Sequence, residues 1–270
     1  MKICIAGKNQ IAVNALRYLI EIKNISKKDL MVCINKTDDG KDSWQPSLKL
    51  FAVKNKIKLV TLDELYLIKN LIFISLEFDK IIRPQKFLTK QLYNIHFSLL
   101  PAYKGMYTSV FPILNGEKYY GVTLHLIDDG IDTGDIIDQE KFEIDINDTC
   151  RDLYFKYLEF GEKIFKKNIS NILDGKITAY KQSAIGSSYY SKLSINFKKI
   201  EINFNKTSFE IHNQIRAFIF KEYQLPEVFG KKVKKSLLTN ERISRNYRNI
   251  IENKIILSGI DGYKIICETT

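Results

Sequence analysis

The chain has 270 residues, 45% of them hydrophobic and 12% aromatic, with 42 Lys+Arg against 31 Asp+Glu for a formal net charge of +11. Such length and apolar content suit one large domain, or one domain with a small appendage, and exclude a disordered or fibrous chain. The positive residues run from Lys2 to Lys264 without gathering in one patch, so charge alone favours nucleotides or phosphorylated metabolites as readily as nucleic acid.

The opening segment, Met1-Lys2-Ile3-Cys4-Ile5-Ala6-Gly7, lacks the regions of a signal peptide, and Lys2 to Ala6 reads as a buried strand. Helical spacing follows from Gln10 to Ile22 (Ile11, Ala15, Leu16, Leu19). Leu30 to Asn35 is a second strand, Thr37 to Ser43 a polar loop, and Ser47 to Asn55 a helix opened by a serine cap. Ile57 to Val60 and Leu71 to Ser75 are further short strands. Strands alternating with helices predict a doubly wound, mainly parallel sheet. No apolar run reaches membrane-spanning length, Leu71 to Phe78 being broken by Ser75 and Glu77, and no membrane partner is expected.

Gln91 to His96 continues the strand series, after which the pattern changes. Tyr119 to Ile127 and Ile136 to Ile144 read as an antiparallel pair around a glycine-containing turn. Asp148 to Leu173 is a long amphipathic helix with Gly175 just beyond it, and Tyr180 to Leu193 is a connector. Ser208 to Phe220 forms a late helix. Asp261-Gly262 signals a hairpin between Ile255–Leu257 and Tyr263–Ile266. Lys231 to Lys235 reads as a solvated charge set on an edge strand.

The expected division is a catalytic domain over residues 1–190 and a C-terminal extension over 191–270, a helix plus hairpin whose exposed edge suits pairing in a homodimer. Cys4, Cys33, Cys150 and Cys267 are scattered with no CxxC pairing, as in a reduced, cytoplasmic protein. No His/Cys/Asp/Glu grouping has metal-ligand spacing, and no metal is expected.

Chemistry concentrates in two phrases. Asn94 and His96 alternate along a strand, so both side chains leave one face, and Asp132 follows in a loop between Gly130 and Gly134. An amide donor, an imidazole and a carboxylate are the parts needed to move an acyl-type carbon onto an amine: one holds an oxyanion, one shuttles a proton, one polarises the imidazole. Of the other histidines, His125 lies mid-strand, structural or substrate-lining, and His212 sits on the late helix near Arg216. At the first strand-to-helix turn, Lys8 and Asn9 are candidates for substrate contact where a phosphate meets a helix N-terminus; an ordinary turn fits as well.

The phrases Asn94-Ile95-His96-Phe97-Ser98-Leu99-Leu100-Pro101, Tyr103-Lys104-Gly105 and Asp128 to Ile137 resemble the formyltransferases that use N10-formyltetrahydrofolate. The resemblance implies a Rossmann-like α/β formyltransferase domain, with Asn94, His96 and Asp132 as catalytic residues. It places the folate co-substrate at Ser75, Leu76, Glu77 and Phe78, and at Asp128 unless that residue serves only its turn. Ser98 and Lys104 fall on the substrate side.

The segment Glu210 to Phe218 is similar to that of nucleotide-sugar formyltransferases, which implies that Arg216 pairs with a diphosphate; Tyr223 stacks on the base or packs at a rim. Only about 50 residues follow Phe220, too few for the RNA-binding barrel of methionyl-tRNA formyltransferases. The resulting expectation is formylation of a nucleotide-linked amino sugar, dTDP-4-amino-4,6-dideoxyglucose in first place, for surface polysaccharide (O-antigen) synthesis, with no nucleic-acid partner. Methionyl-tRNA formylation and hydrolysis of formyltetrahydrofolate are the alternatives.

Overall fold

The computed structural model describes residues Met1 to Thr270. In chain order the elements begin with β1 (Lys2–Gly7), α1 (Asn9–Glu21), β2 (Leu30–Ile34), α2 (Leu48–Lys54), β3 (Lys58–Leu59), α3 (Leu62–Tyr66), β4 (Leu71–Leu76) and β5 (Leu92–His96). They continue with β6 (Lys104–Gly105), α4 (Phe111–Leu114), β7 (Tyr119–Leu126), β8 (Ile136–Glu143), α5 (Cys150–Leu173) and β9 (Tyr189–Tyr190). The C-terminal part holds α6 (Ser208–Arg216), β10 (Glu227–Val228), β11 (Lys231–Arg242), β12 (Arg248–Ile251), β13 (Lys254–Ser258) and β14 (Tyr263–Thr269).

Two compact units emerge, each drawn from several stretches of chain: Met1–Lys104, Gly121–Lys141 and Tyr157–Tyr189 in one, Gly105–Tyr120, Phe142–Lys156 and Tyr190–Thr270 in the other. The first is built on a seven-stranded sheet in the order β3-β2-β1-β4-β5-β7-β8. β1 to β5 run parallel, and β7 lies antiparallel to β5. The apolar runs of β1 and β4 are buried almost throughout, as strands covered on both faces must be. One face packs Cys4, Ala6, Met31, Phe73 and Phe87 together, and each large apolar side chain so enclosed contributes roughly 1.5–3 kcal/mol. On α1 the residues Ile11, Ala12, Ala15, Leu16 and Leu19 are buried, an i, i+4, i+8 stripe as the sequence predicts. Ser47 caps α2 by accepting from the Leu50 N–H, and Thr61 with Glu64 forms a capping box on α3.

Strand order fixes where a ligand can sit. From β1 the chain moves outward to β2 and β3, then returns to the other side of β1 for β4 and β5, so the carboxyl ends of β1 and β4 border a switch-point crevice. Gly7 ends β1 with φ +153, and a Cβ there would lie 1.8 Å from the Leu76 carbonyl oxygen, so only glycine lets the two strand ends approach.

The second unit carries a five-stranded sheet in the order β10-β11-β14-β13-β12. Ile211 and Ile215 of α6 pack with Val233, Ile255, Leu257 and Ile265, and a Thr207–Glu210 capping box starts the helix. The expected hairpin is present, β13 pairing β14 with Leu257 opposite Ile265 and Gly262 at φ +75 in the turn. The lysine cluster is solvated, but not on an edge strand as expected: β11 lies between β10 and β14. Val233 faces the core from the middle of the cluster, and the lysines around it stay wet.

Candidate functional site

Asn94 and His96 close β5, and the β5–β7 register sets Asn94 opposite His125 and His96 opposite Thr123. Asp132 comes from the loop after β7, held in the left-handed region at φ +54. That loop folds back tightly on the strand it leaves: a Cβ on Gly134 would meet the Leu126 carbonyl oxygen at 1.8 Å. Asp128 fastens the same loop by accepting from the Gly130 N–H at 3.2 Å and the Thr133 hydroxyl at 2.7 Å.

The three side chains predicted from sequence converge. His96 Nε2 lies 2.9 Å from the Tyr103 carbonyl oxygen, so Nε2 carries the hydrogen and Nδ1 is the basic nitrogen. Nδ1 faces Asp132 Oδ2 at 3.5 Å, with the two side chains 9% and 14% exposed. A proton taken up by Nδ1 therefore arrives beside a carboxylate in a largely desolvated site. The amide of Asn94 points Nδ2 at His125 Nε2, 3.0 Å away, and at Asp132 Oδ1, 3.4 Å away.

His125 is the participant that sequence reasoning undervalued. Its Nδ1 lies 2.7 Å from the Leu126 carbonyl oxygen and must donate to it, which makes Nε2 the acceptor for an Asn94 N–H. The imidazole so dictates which way the Asn94 amide faces. The signal that could have found it is the pairing register across the β5–β7 antiparallel pair, which no single strand carries.

The formyl transferase family matches this chain over residues 61–169, the span that holds β4, β5, the Asp132 loop and most of α5. The methionyl-tRNA formyltransferase of Endomicrobium trichonymphae is 32% identical over 235 residues, covering 79% of this chain and 74% of that protein. The crystal structure of an N-formyltransferase from Helicobacter canadensis, in complex with folinic acid and dTDP-3-aminofucose, superposes with a TM-score of 0.98 at 55% identity, over 100% of both chains. WlaRD, a sugar 3N-formyl transferase crystallised with dTDP and 5-N-formyl-THF, gives 0.97 at 57% identity, over 100% of this chain and 97% of that one. The chain belongs to the formyltransferase family.

For a formyltransferase the remaining expected positions sort by location. Lys8, Asn9 and Ser75 to Phe78 lie at the carboxyl ends of β1 and β4, in the crevice. Asn9 (φ +62) and Glu77 (φ +55) are both left-handed, and the Asn9 amide donates to Glu77 Oε2 at 3.2 Å. The Lys8 N–H reaches the Leu76 carbonyl at 3.3 Å, and the Glu77 carbonyl accepts from Asn35 Nδ2 at 2.8 Å. Ser75 and Leu76 are buried, and β4 is paired there with β1 on one side and β5 on the other.

Two expected substrate contacts have partners within the first unit. Ser98 is fully buried and its hydroxyl donates to the Ala102 carbonyl at 2.8 Å, closing the turn after β5. Lys104 is buried too, its Nζ donating to Ser187 Oγ at 2.8 Å.

In the second unit, Tyr223 is 62% exposed, its ring centroid 4.8 Å from that of Phe220. Arg216, the expected diphosphate ligand, is engaged within the second unit through two of its three guanidinium nitrogens. It is 2% exposed, its Nε donating to Asn213 Oδ1 at 2.9 Å and its Nη1 to the carbonyls of Asp145 at 3.0 Å and Asp148 at 2.7 Å. Burial lowers its pKa to about 10, against the opposing charges of Asp148 and Asp145. Nη1 ties α6 to the chain that leads into α5. The cysteines offer no nucleophile: burial pushes Cys150 and Cys267 up to about 12 and Cys33 to about 11.

Proposed function

We propose that this enzyme transfers the formyl group of N10-formyltetrahydrofolate to the primary amine of a dTDP-linked 3-amino-3,6-dideoxyhexose. The observation that carries formyl transfer is the convergence of Asn94, His96 and Asp132 at 3.4–3.5 Å. The nucleotide sugar rests on full-length identity of 55–57% to proteins described with dTDP-3-aminofucose or as 3N-formyl transferases. That identity favours an amine at C3 over the C4 amine expected from sequence, and an amino sugar over tRNA, whose formyltransferase is 32% identical.

The folate supplies the formyl carbon, and this chain's residues handle charge and protons around it. Asn94 anchors one N–H on His125 and keeps the second on a long, weak bond to Asp132, a donor that a developing oxyanion can claim. Such a donor is worth ~3 kcal/mol of transition-state stabilisation. His96 Nδ1 takes the proton that the attacking amine must lose, and Asp132 stabilises the imidazolium that results.

The test is incubation with N10-formyltetrahydrofolate and a panel of dTDP-3-amino, dTDP-4-amino, UDP- and GDP-amino sugars and charged initiator tRNA, following gain of one formyl group by mass. Transfer to a dTDP-3-amino sugar is expected. Transfer to tRNA alone, or faster transfer to a 4-amino sugar, sinks the corresponding part of the reading.

A further inference from the structure

The connector after α5 touches the reacting groups' supports at both ends. Tyr180 pairs with Ile136 at the start of β8 through N–H to carbonyl bonds of 2.8 and 2.9 Å, anchoring the segment. From there Gln182 Nε2 donates to two carbonyls of the Asp132 loop, Asp132 itself at 2.9 Å and Gly134 at 2.7 Å. Six residues on, Ser188 Oγ accepts from the Tyr103 N–H at 2.8 Å, and the Ser188 backbone bonds Pro101 and Lys104 on either side. Tyr103 is the residue whose carbonyl holds His96 Nε2–H.

We propose that residues 180–188 form a positioning strap, in which Gln182 sets the Asp132 carboxylate and Ser188 sets the Tyr103 carbonyl, so that one segment fixes both faces of the His96 imidazole. The inference rests on the formyl-transfer reading of that imidazole.

Two features argue that these bonds are there for the site rather than for stability. Asp132 and Tyr103 both sit in the left-handed region, at φ +54 and +59, which a side-chain-bearing residue adopts at a cost and keeps only where its surroundings enforce it. The strap bonds the backbone of each. Gln182 also aims both amide hydrogens at the Asp132 loop, onto the carbonyls at either side of Thr133. Ser187 extends the strap by accepting from buried Lys104, next along the chain from Tyr103.

The test combines kinetics with imidazole NMR, which is tractable because the chain has only 3 histidines. Ser188→Ala is expected to shift the His96 Nε2–H signal and to lower kcat about tenfold with KM unchanged for both substrates, and Ser188→Thr to restore both. Gln182→Leu is expected to lower kcat by up to about 100-fold, yet to add less than about twofold on top of Asp132→Asn, since the two act through one carboxylate. Melting temperatures of each variant separate positioning from loss of fold.

Unchanged His96 signals and kcat in Ser188→Ala, or Gln182→Leu losses that multiply fully with those of Asp132→Asn, overturn the strap. Failure of the wild-type protein to formylate any amino sugar, with the imidazole shifts still present, overturns the formyl-transfer reading and leaves the strap standing.

Discussion

His96 and His212 are both buried, and both lie within 3 Å of a backbone carbonyl through Nε2, at 2.9 Å to Tyr103 and 2.8 Å to Ile146. They differ at the other nitrogen. His212 Nδ1 is matched by the Ser236 hydroxyl at 2.8 Å, so every hydrogen-bonding position on that ring is filled and burial lowers its pKa to about 4. His96 Nδ1 faces the Asp132 carboxylate at 3.5 Å, close enough to stabilise a charge and too far to have consumed the nitrogen. A fully satisfied histidine holds a fold together. A histidine with one nitrogen in reserve beside an anion can accept a proton and give it back.

The largest effect that can break this contrast is removal of the reserve nitrogen or its carboxylate. His96→Asn and Asp132→Asn are each expected to lower kcat by ~10³-fold, with folate and nucleotide affinities nearly unchanged, since both groups act as charge develops. Calorimetric titration of each substrate beside steady-state kinetics measures the split. Full activity in either variant would remove that residue from the reaction.

The His96 side of the comparison was legible because its parts are local. Asn94 and His96 stand two apart on one strand, and Asp132 announces itself between Gly130 and Gly134. The parallel sheet was legible for a similar reason: the buried runs of β1, β2 and β4 are continuous and apolar. What stayed hidden depends on pairing over distance. His125 orients Asn94 through strand register, and Gln182 and Ser188 reach partners 50 and 85 residues away through polar contacts with no periodicity. Arg216 follows Ile215 on an amphipathic helix, where exposed and buried arginines read alike until the carbonyls it serves are placed. The solvated lysines of β11 read as an edge strand, and its 12-residue length and its place between β10 and β14 depend on pairing that the lysines do not show.

A middle-sized effect tests the second unit's buried cation. Arg216→Met strips the donors from the Asp145 and Asp148 carbonyls, and leaving such groups buried and unpaired should cost about 3 kcal/mol in urea unfolding. KM for the nucleotide sugar should stay within about threefold in the protein that remains folded, a change of less than 1 kcal/mol. A large rise in that KM with stability intact would assign Arg216 to the diphosphate.

The smallest effect comes from His212 itself, through pH. Its pKa falls from 6.5 to about 4 on folding, chiefly by burial and further by the Arg216 charge, against the Ile146 hydrogen bond that raises it. Between those values the unfolded chain binds the extra proton, so this histidine's contribution is whole above about pH 6.5 and declines as pH falls toward 4. The linkage is worth about 2 kcal/mol at pH ~5. Urea unfolding across that window should show a steep acid decline in the wild type and a shallower one in His212→Asn, whose amide cannot take up a proton. Equal slopes would mean that the folded ring takes up its proton as readily as the unfolded chain does, and burial would not then set its protonation.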